Sequence, residues 1–190
     1  SSLENNMVQS TEGLAGGWRG QWYRTAMSIP SDFYRTSMSP DLDETLTKIE
    51  FASTRDFASH WGQGNKFGVH FSGVLRVDMA GSYEFQLNSD NGSELRIDGV
   101  LVVSGEHNLG SPSGTIDLIA NQNYIITVGF VDTGGGARLH VKWKPPGSTD
   151  YIYLTGSSTH GVSQTTYSFG RGGGLYVSPD SNVIIHGPAS

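Results

Sequence analysis

Residues 75–103 constrain this chain more than any other stretch. Apolar side chains take every second position through Leu75, Val77 and Met79, again through Tyr83, Phe85 and Leu87, and again at Leu95 and Ile97. Side chains on a strand point alternately to its two faces, so a period of two means strands with one face buried. The runs break at Ala80-Gly81, at Ser89-Asp90-Asn91-Gly92 and at Asp98-Gly99. Asn-Gly and Asp-Gly accept the positive φ of tight hairpin turns. The expectation is a meander of short strands, with the rest of the chain built against that sheet.

The same period returns downstream. Tyr124, Ile126, Val128 and Phe130 alternate, and so do Ala137, Leu139, Val141 and Trp143 before Pro145-Pro146-Gly147 ends the run. Residues 45–51 and 67–71 have strand composition, and residues 151–154 suit a closing strand. Residues 28–43 and 55–65 read as loops, with a short helix starting near Ser39, Pro40 and Asp41. Glycine is abundant, at 26 residues of 190, which favours turns and strands over helices. The fold class is therefore all-β: an antiparallel β-sandwich or barrel. Its core is expected to hold Tyr83, Phe85, Leu87, Leu95, Ile97, Ile126, Val128, Leu139, Val141 and Trp143. Residues 1–12 read as a leader, 13–154 as the sandwich, 155–174 as a flexible Gly/Ser/Thr linker, and 175–190 as a C-terminal strand segment.

Composition removes several function classes. The chain has no cysteine, so disulfides and thiolate metal sites are out. The net charge is −6 with scattered basic residues, which disfavours a nucleic-acid partner. No apolar run approaches the ~20 residues of a membrane helix. The chain opens on Ser1 without a signal peptide, and it reads as a processed chain or a piece of a longer one. The histidines lack the spacing of a zinc site. Neither a nucleophile elbow nor a phosphate loop between strand and helix is present. The reading is a non-enzyme.

The order of the motifs resembles the PA14 domain. Gly13-Leu14 stands before the aromatic residues Trp18, Trp22 and Tyr23. Gly81-Ser82-Tyr83-Glu84-Phe85 leads to Ser89-Asp90-Asn91-Gly92 and then to Leu95-Arg96-Ile97-Asp98-Gly99. A glycine loop, Ala137-Arg138-Leu139, Trp143 and Pro145-Pro146-Gly147 follow. The resemblance covers residues 13–154. It implies a β-sandwich or barrel module of toxins, glycosidases and adhesins, with many lectin members. In those lectins two adjacent aspartates joined by a cis peptide hold a calcium ion, and the ion holds two sugar hydroxyls. Here the pair is Asp90 and Asn91. Asn keeps an oxygen ligand and removes one negative charge, which should weaken calcium binding.

Each candidate has a plainer alternative beside it. Asp90 and Asn91 form a calcium and sugar site, or an ordinary hairpin turn. Asp132 and the glycines after it complete the calcium shell, or make a simple glycine turn. Trp61 and His107 contact a sugar, or serve as a core anchor and a solvated loop residue. Asn91-Gly92-Ser93 is also a glycosylation sequon, and a glycan there would block a sugar site. The leading expectation is an extracellular or cell-surface, calcium-dependent glycan-binding and adhesion module. The alternatives are a structural subunit of a filament or coat and an accessory domain of a larger glycoside hydrolase. Residues 175–185 carry Leu175, Tyr176, Val177, Val183, Ile184 and Ile185, too few for a core of their own. They are expected to dock as strand on a neighbouring copy, giving a homo-oligomer or filament, or else to cover an edge of their own domain.

Overall fold

The computed structural model describes residues 13–24, 30–34, 38–105, 110–157, 176–177 and 183–184. The strands are β1 (Gly13–Tyr23), β2 (Leu42–Leu46), β3 (Glu50–Phe51), β4 (Phe67–Arg76), β5 (Gly81–Asp90), β6 (Gly92–Ile97) and β7 (Val100–Gly105). They continue with β8 (Ser113–Leu118), β9 (Asn123–Asp132), β10 (Arg138–Lys144), β11 (Ile152–Tyr153), β12 (Gly156–Ser157), β13 (Tyr176–Val177) and β14 (Val183–Ile184). One helix, α1 (Thr54–Trp61), and a 3₁₀ turn at Pro30–Tyr34 complete the described elements.

Two sheets face each other. A seven-stranded sheet runs β12-β1-β4-β9-β6-β7 with β2 also on β1, and a five-stranded sheet runs β11-β10-β5-β8 with β3 on β10. Every core position expected from the alternation is buried, from Tyr83 and Phe85 to Trp143. The core is richest in rings where Trp22 meets Phe51, Phe57, Trp61, Phe67 and Phe71. Buried aromatic side chains of this size dominate core energetics.

The strands do not form the expected meander. β4, β6 and β7 lie in the larger sheet, whereas β5 lies in the smaller one between β10 and β8. Alternation reports a buried face, and a sandwich offers such a face in both sheets. It therefore cannot tell a hairpin from a crossover. Asp90 pairs with Arg138 in one sheet, and Gly92 pairs with Val131 in the other. The Asp90-Asn91-Gly92 turn is thus a crossover between layers. The true hairpin in this stretch is β6–β7, turning at Asp98-Gly99. Where β8 crosses β7, a Cβ on Gly114 would lie 1.8 Å from the Val102 carbonyl oxygen, so only glycine fits there.

The helix also falls elsewhere than expected. Residues 42–46 form β2, and α1 occupies what read as a loop. Ser53 caps α1 by accepting from the Asp56 N–H, and the Asp56 carboxylate accepts in turn from the Ala52 N–H. Gly62 ends it in the left-handed conformation. Phe57 and Trp61, four residues apart, lie on its buried face.

The sandwich runs past Leu154. Gly156 and Ser157 pair in parallel with Leu14 and Ala15. Tyr176–Val177 and Val183–Ile184 pair with one another as a two-stranded sheet.

Candidate functional site

The register of β4 on β9 defines the two ends of the sandwich. Phe67 faces Asp132 at one end and Arg76 faces Asn123 at the other. Asp90, Asn91 and residues 132–136 all belong to the first, the loop end. β5 delivers Asp90 from the smaller sheet, and β9 delivers Asp132 from the larger one. The crossover turn and the β9–β10 loop therefore bring together carboxylates from different layers. The peptide bond between Asp90 and Asn91 is cis.

Asn91 ties the two loops. Its Nδ2 donates to Asp90 Oδ1 (2.9 Å) and to the Gly136 carbonyl (3.0 Å). Its Oδ1 accepts from the Thr133 N–H (3.2 Å) and the Thr133 hydroxyl (3.1 Å). An aspartate at 91 has no hydrogen to donate, so it could make neither of the first two bonds. The glycine loop presses close: a Cβ on Gly136 would lie 2.8 Å from Asp90 Oδ2. α1 braces the same loop from below, because Thr54 Oγ1 accepts from the Ala137 N–H (3.0 Å). Beneath the turn, the buried Ser89 and Ser93 hydroxyls share a 2.6 Å hydrogen bond.

Asp132 is fully buried. Its Oδ1 accepts a short bond from the Gly134 N–H, while its Oδ2 is buried with no hydrogen-bond partner among the described residues. Burial pushes its carboxyl above the ordinary range, the Gly134 and Lys66 N–H groups oppose that shift, and the Asp90 charge adds to it. An unpartnered carboxylate oxygen is expensive in a dry interior. A cation between Asp132 and Asp90 would satisfy it.

The donor set fits a hard cation. Two carboxylates, an amide oxygen and the carbonyls of a glycine loop are oxygen ligands of the kind calcium takes. Among the described residues, no group of three or more His, Cys, Asp or Glu side chains forms a metal cluster, and the third position here is the amide of Asn91. That amide turns its oxygen to Thr133 and its nitrogen to Asp90. Rotation by half a turn would bring Oδ1 to the Asp90 side, which a cation there requires.

The other candidates part company. Trp61 belongs to the core: it is 6% exposed, with its ring 5.3 Å from Trp22 and 5.4 Å from Phe67. It is a packing anchor with no face for a sugar, because the helical spacing with Phe57 turns both inward. His107 lies outside the described residues. Gly136 is one of the glycines after Asp132 named in the sequence, whereas Thr54 and Thr133 were not singled out. The N-cap at Ser53 could have announced α1 and hence Thr54, but nothing local marks the partners of Asn91.

The PA14 domain model matches residues 28–153, most of the sandwich. The chain belongs to the PA14 family. Solved structures agree on the PA14 fold at low identity. The PA14 sugar-binding domain from an RTX adhesin superposes with a TM-score of 0.59 at 17% identity, covering 75% of this chain and 99% of that one. The Epithelial Adhesin 9 A domain from Candida glabrata, solved with Galb1-4GlcNAc, gives a TM-score of 0.55 at 12% identity and covers 78% of this chain and 96% of that one. An anti-sigma factor domain-containing protein from Clostridium clariflavum gives 0.59 at 18% identity over 74% of this chain; the chain spans 45% of that protein's length. No curated protein matches the sequence. No helix among the described residues is long and apolar enough to cross a membrane.

Proposed function

We propose that this PA14 domain is a non-catalytic, extracellular glycan-binding module whose sugar site is a calcium ion held by Asp90, Asn91 and Asp132. The observation that carries the reading is the buried Asp132 carboxylate, with one oxygen unpartnered and the Asp90 charge near enough to raise its pKa. Bound calcium would supply open coordination positions for two vicinal sugar hydroxyls. The chain's own residues do the rest. Asp90 and Asp132 bring negative charge from the two sheets. Asn91 sets the spacing between their loops, and Thr54 holds the β9–β10 loop on α1. The sugar-binding adhesin domains of the same fold support the class of ligand. A single site of this kind binds weakly, and copies displayed together would give adhesion through avidity.

A glycan array read with calcium and again with a chelator tests this. Binding to a set of glycans that disappears with the chelator is the expected result. Glycan binding unchanged by the chelator would remove calcium from the site, and no glycan binding in either condition would remove the sugar.

A further inference from the structure

β10 carries a row of basic side chains on one face. The strand reads Arg-Leu-His-Val-Lys-Trp-Lys, and its half-buried and buried positions alternate strictly. Leu139, Val141 and Trp143 face the core, so Arg138, His140, Lys142 and Lys144 share the outer face of the smaller sheet. Every outward residue of this strand is a cation or, at His140, able to become one. Neighbours in the row are two residues apart, about 6.5 Å along the strand.

The adjoining strands widen the row into a surface. Tyr153 of β11 pairs with Lys142, and its ring lies 5.0 Å from the Lys142 ammonium and 5.5 Å from that of Lys48. Its hydroxyl is 3.3 Å from His140 Nδ1. On the other side, β5 sets Asp90 opposite Arg138, Asn88 opposite His140, Gln86 opposite Lys142 and Glu84 opposite Lys144. Two of the cations are neutralised, Lys144 by Glu84 and Lys48 by Glu50. The ion pairs among the described residues include neither Arg138 nor Lys142. Arg138 Nε, His140 Nε2 and Asn88 Oδ1 are buried with no hydrogen-bond partner among the described residues. His140 registers the surrounding charge. Burial lowers its pKa most, Lys142 and Arg138 lower it further, and Glu50 and Asp56 oppose them.

Uncompensated cations with unused donors, on a chain of net charge −6, suit an anionic partner. Lysines already sit over the Tyr151 and Tyr153 rings, which leaves little of the open aromatic platform on which single-stranded nucleic acid stacks. Cationic donors flanked by the Asn88 and Gln86 amides instead match carboxylates and hydroxyls carried on one extended chain. We infer that the outer face of the smaller sheet binds a linear polysaccharide of uronic acids, its carboxylates held by Arg138, His140 and Lys142 and its hydroxyls by Asn88 and Gln86. The polymer lies along β10, from Arg138 at the loop end toward Lys144. This site uses no calcium and does not rest on the reading of the loops, so either can fail without the other.

The probe is a fluorescently labelled polygalacturonate oligomer, titrated into the full chain by anisotropy with a calcium chelator present. Labelled neutral dextran and single-stranded DNA are titrated beside it. The chain should bind the uronate oligomer, less tightly as salt rises, and should bind neither other polymer within about tenfold of that affinity. Arg138→Gln combined with Lys142→Gln should weaken binding on the order of tenfold with an unchanged melting temperature. Arg76→Gln, on the larger sheet, removes one charge outside the row and should bind as the parent does. Each single variant of the row is measured as well, so that a fold defect in the double variant leaves the test intact. No binding of the uronate oligomer, or full affinity in the variants of the row, would overturn the inference. An equal loss in Arg76→Gln would overturn it in favour of net charge alone, and DNA bound as tightly as the uronate would overturn the choice of polysaccharide.

Discussion

The two ends of this sandwich are made from the same strands and solve opposite problems. At the loop end, β5 terminates in the half-buried Asp90 and β9 in the fully buried Asp132, and Asn91, Thr133 and Gly136 bond the loops to one another. At the far end, turns built on Asp98-Gly99 and Asn121 close the strands through the left-handed conformation, and several large apolar side chains are exposed. One end holds a buried polar atom in need of a partner, and the other holds exposed apolar side chains. The difference also lies underneath. The loop end stands on α1 and the rings of Phe57, Phe67 and Phe130, which hold the loops against a rigid floor.

The largest way to break this contrast is to remove the floor. Phe57 stacks on Phe51 at 4.4 Å and on Phe130 at 5.4 Å. Phe57→Ala should lower stability by about 3–5 kcal/mol in chemical denaturation. A loss under about 1 kcal/mol would show that α1 does not support the loop end. A smaller change acts inside the site. Gly136→Ala puts a methyl group against Asp90 Oδ2 and should destabilise by about 1–3 kcal/mol through overpacking, while weakening calcium binding measured by titration. Unchanged calcium affinity would mean that the Asp90 carboxylate does not need its present position.

Asn91→Asp sharpens the comparison in the other direction. It removes the two bonds that Nδ2 donates and sets a second negative charge beside Asp90. The calcium-free protein should lose about 1–2 kcal/mol, and calcium should bind on the order of tenfold more tightly. Weaker calcium binding would show that the amide serves the metal better than a carboxylate. The smallest effect belongs to the far end. Leu101→Ser should change stability by no more than about 0.5 kcal/mol, because the side chain already faces water. A larger loss would show that Leu101 packs within the sandwich itself.

Much of the fold was legible because burial writes itself as a period of two. Tyr83, Phe85 and Leu87 on β5 and Leu139, Val141 and Trp143 on β10 could be placed inward from the pattern alone. The sheet to which a strand belongs could not, since β5 and β6 bury alternate residues in the same core from opposite sides. Asn91-Gly92 therefore read as a hairpin while serving as a crossover. α1 escaped notice because its eight residues are short for a periodic signal, and its caps at Ser53 and Gly62 sit in polar sequence. At the site, Asp90, Asn91 and Asp132 were named from the resemblance. The bonds of Asn91 to Thr133 and Gly136 join residues more than forty positions apart, and no local pattern records them. Trp61 was ambiguous because an aromatic ring serves a core or a sugar equally well until its neighbours are known.

Asp132 is where the account is most exposed. Its carboxyl is raised above the ordinary value of 3.8 by burial. A raised folded pKa means that the protonated form contributes stability below the unfolded value, and this is lost as pH rises through the folded value. Calcium needs the ionised form, so its binding should strengthen over that same rise. The direct measurement is a calorimetric titration of calcium into the chain and into Asp132→Asn, at neutral pH and again just above 3.8. The account predicts one calcium site at neutral pH, weaker at the lower pH and lost in Asp132→Asn, with that variant still folded. The same calcium heat in both proteins, or none in either, would contradict it.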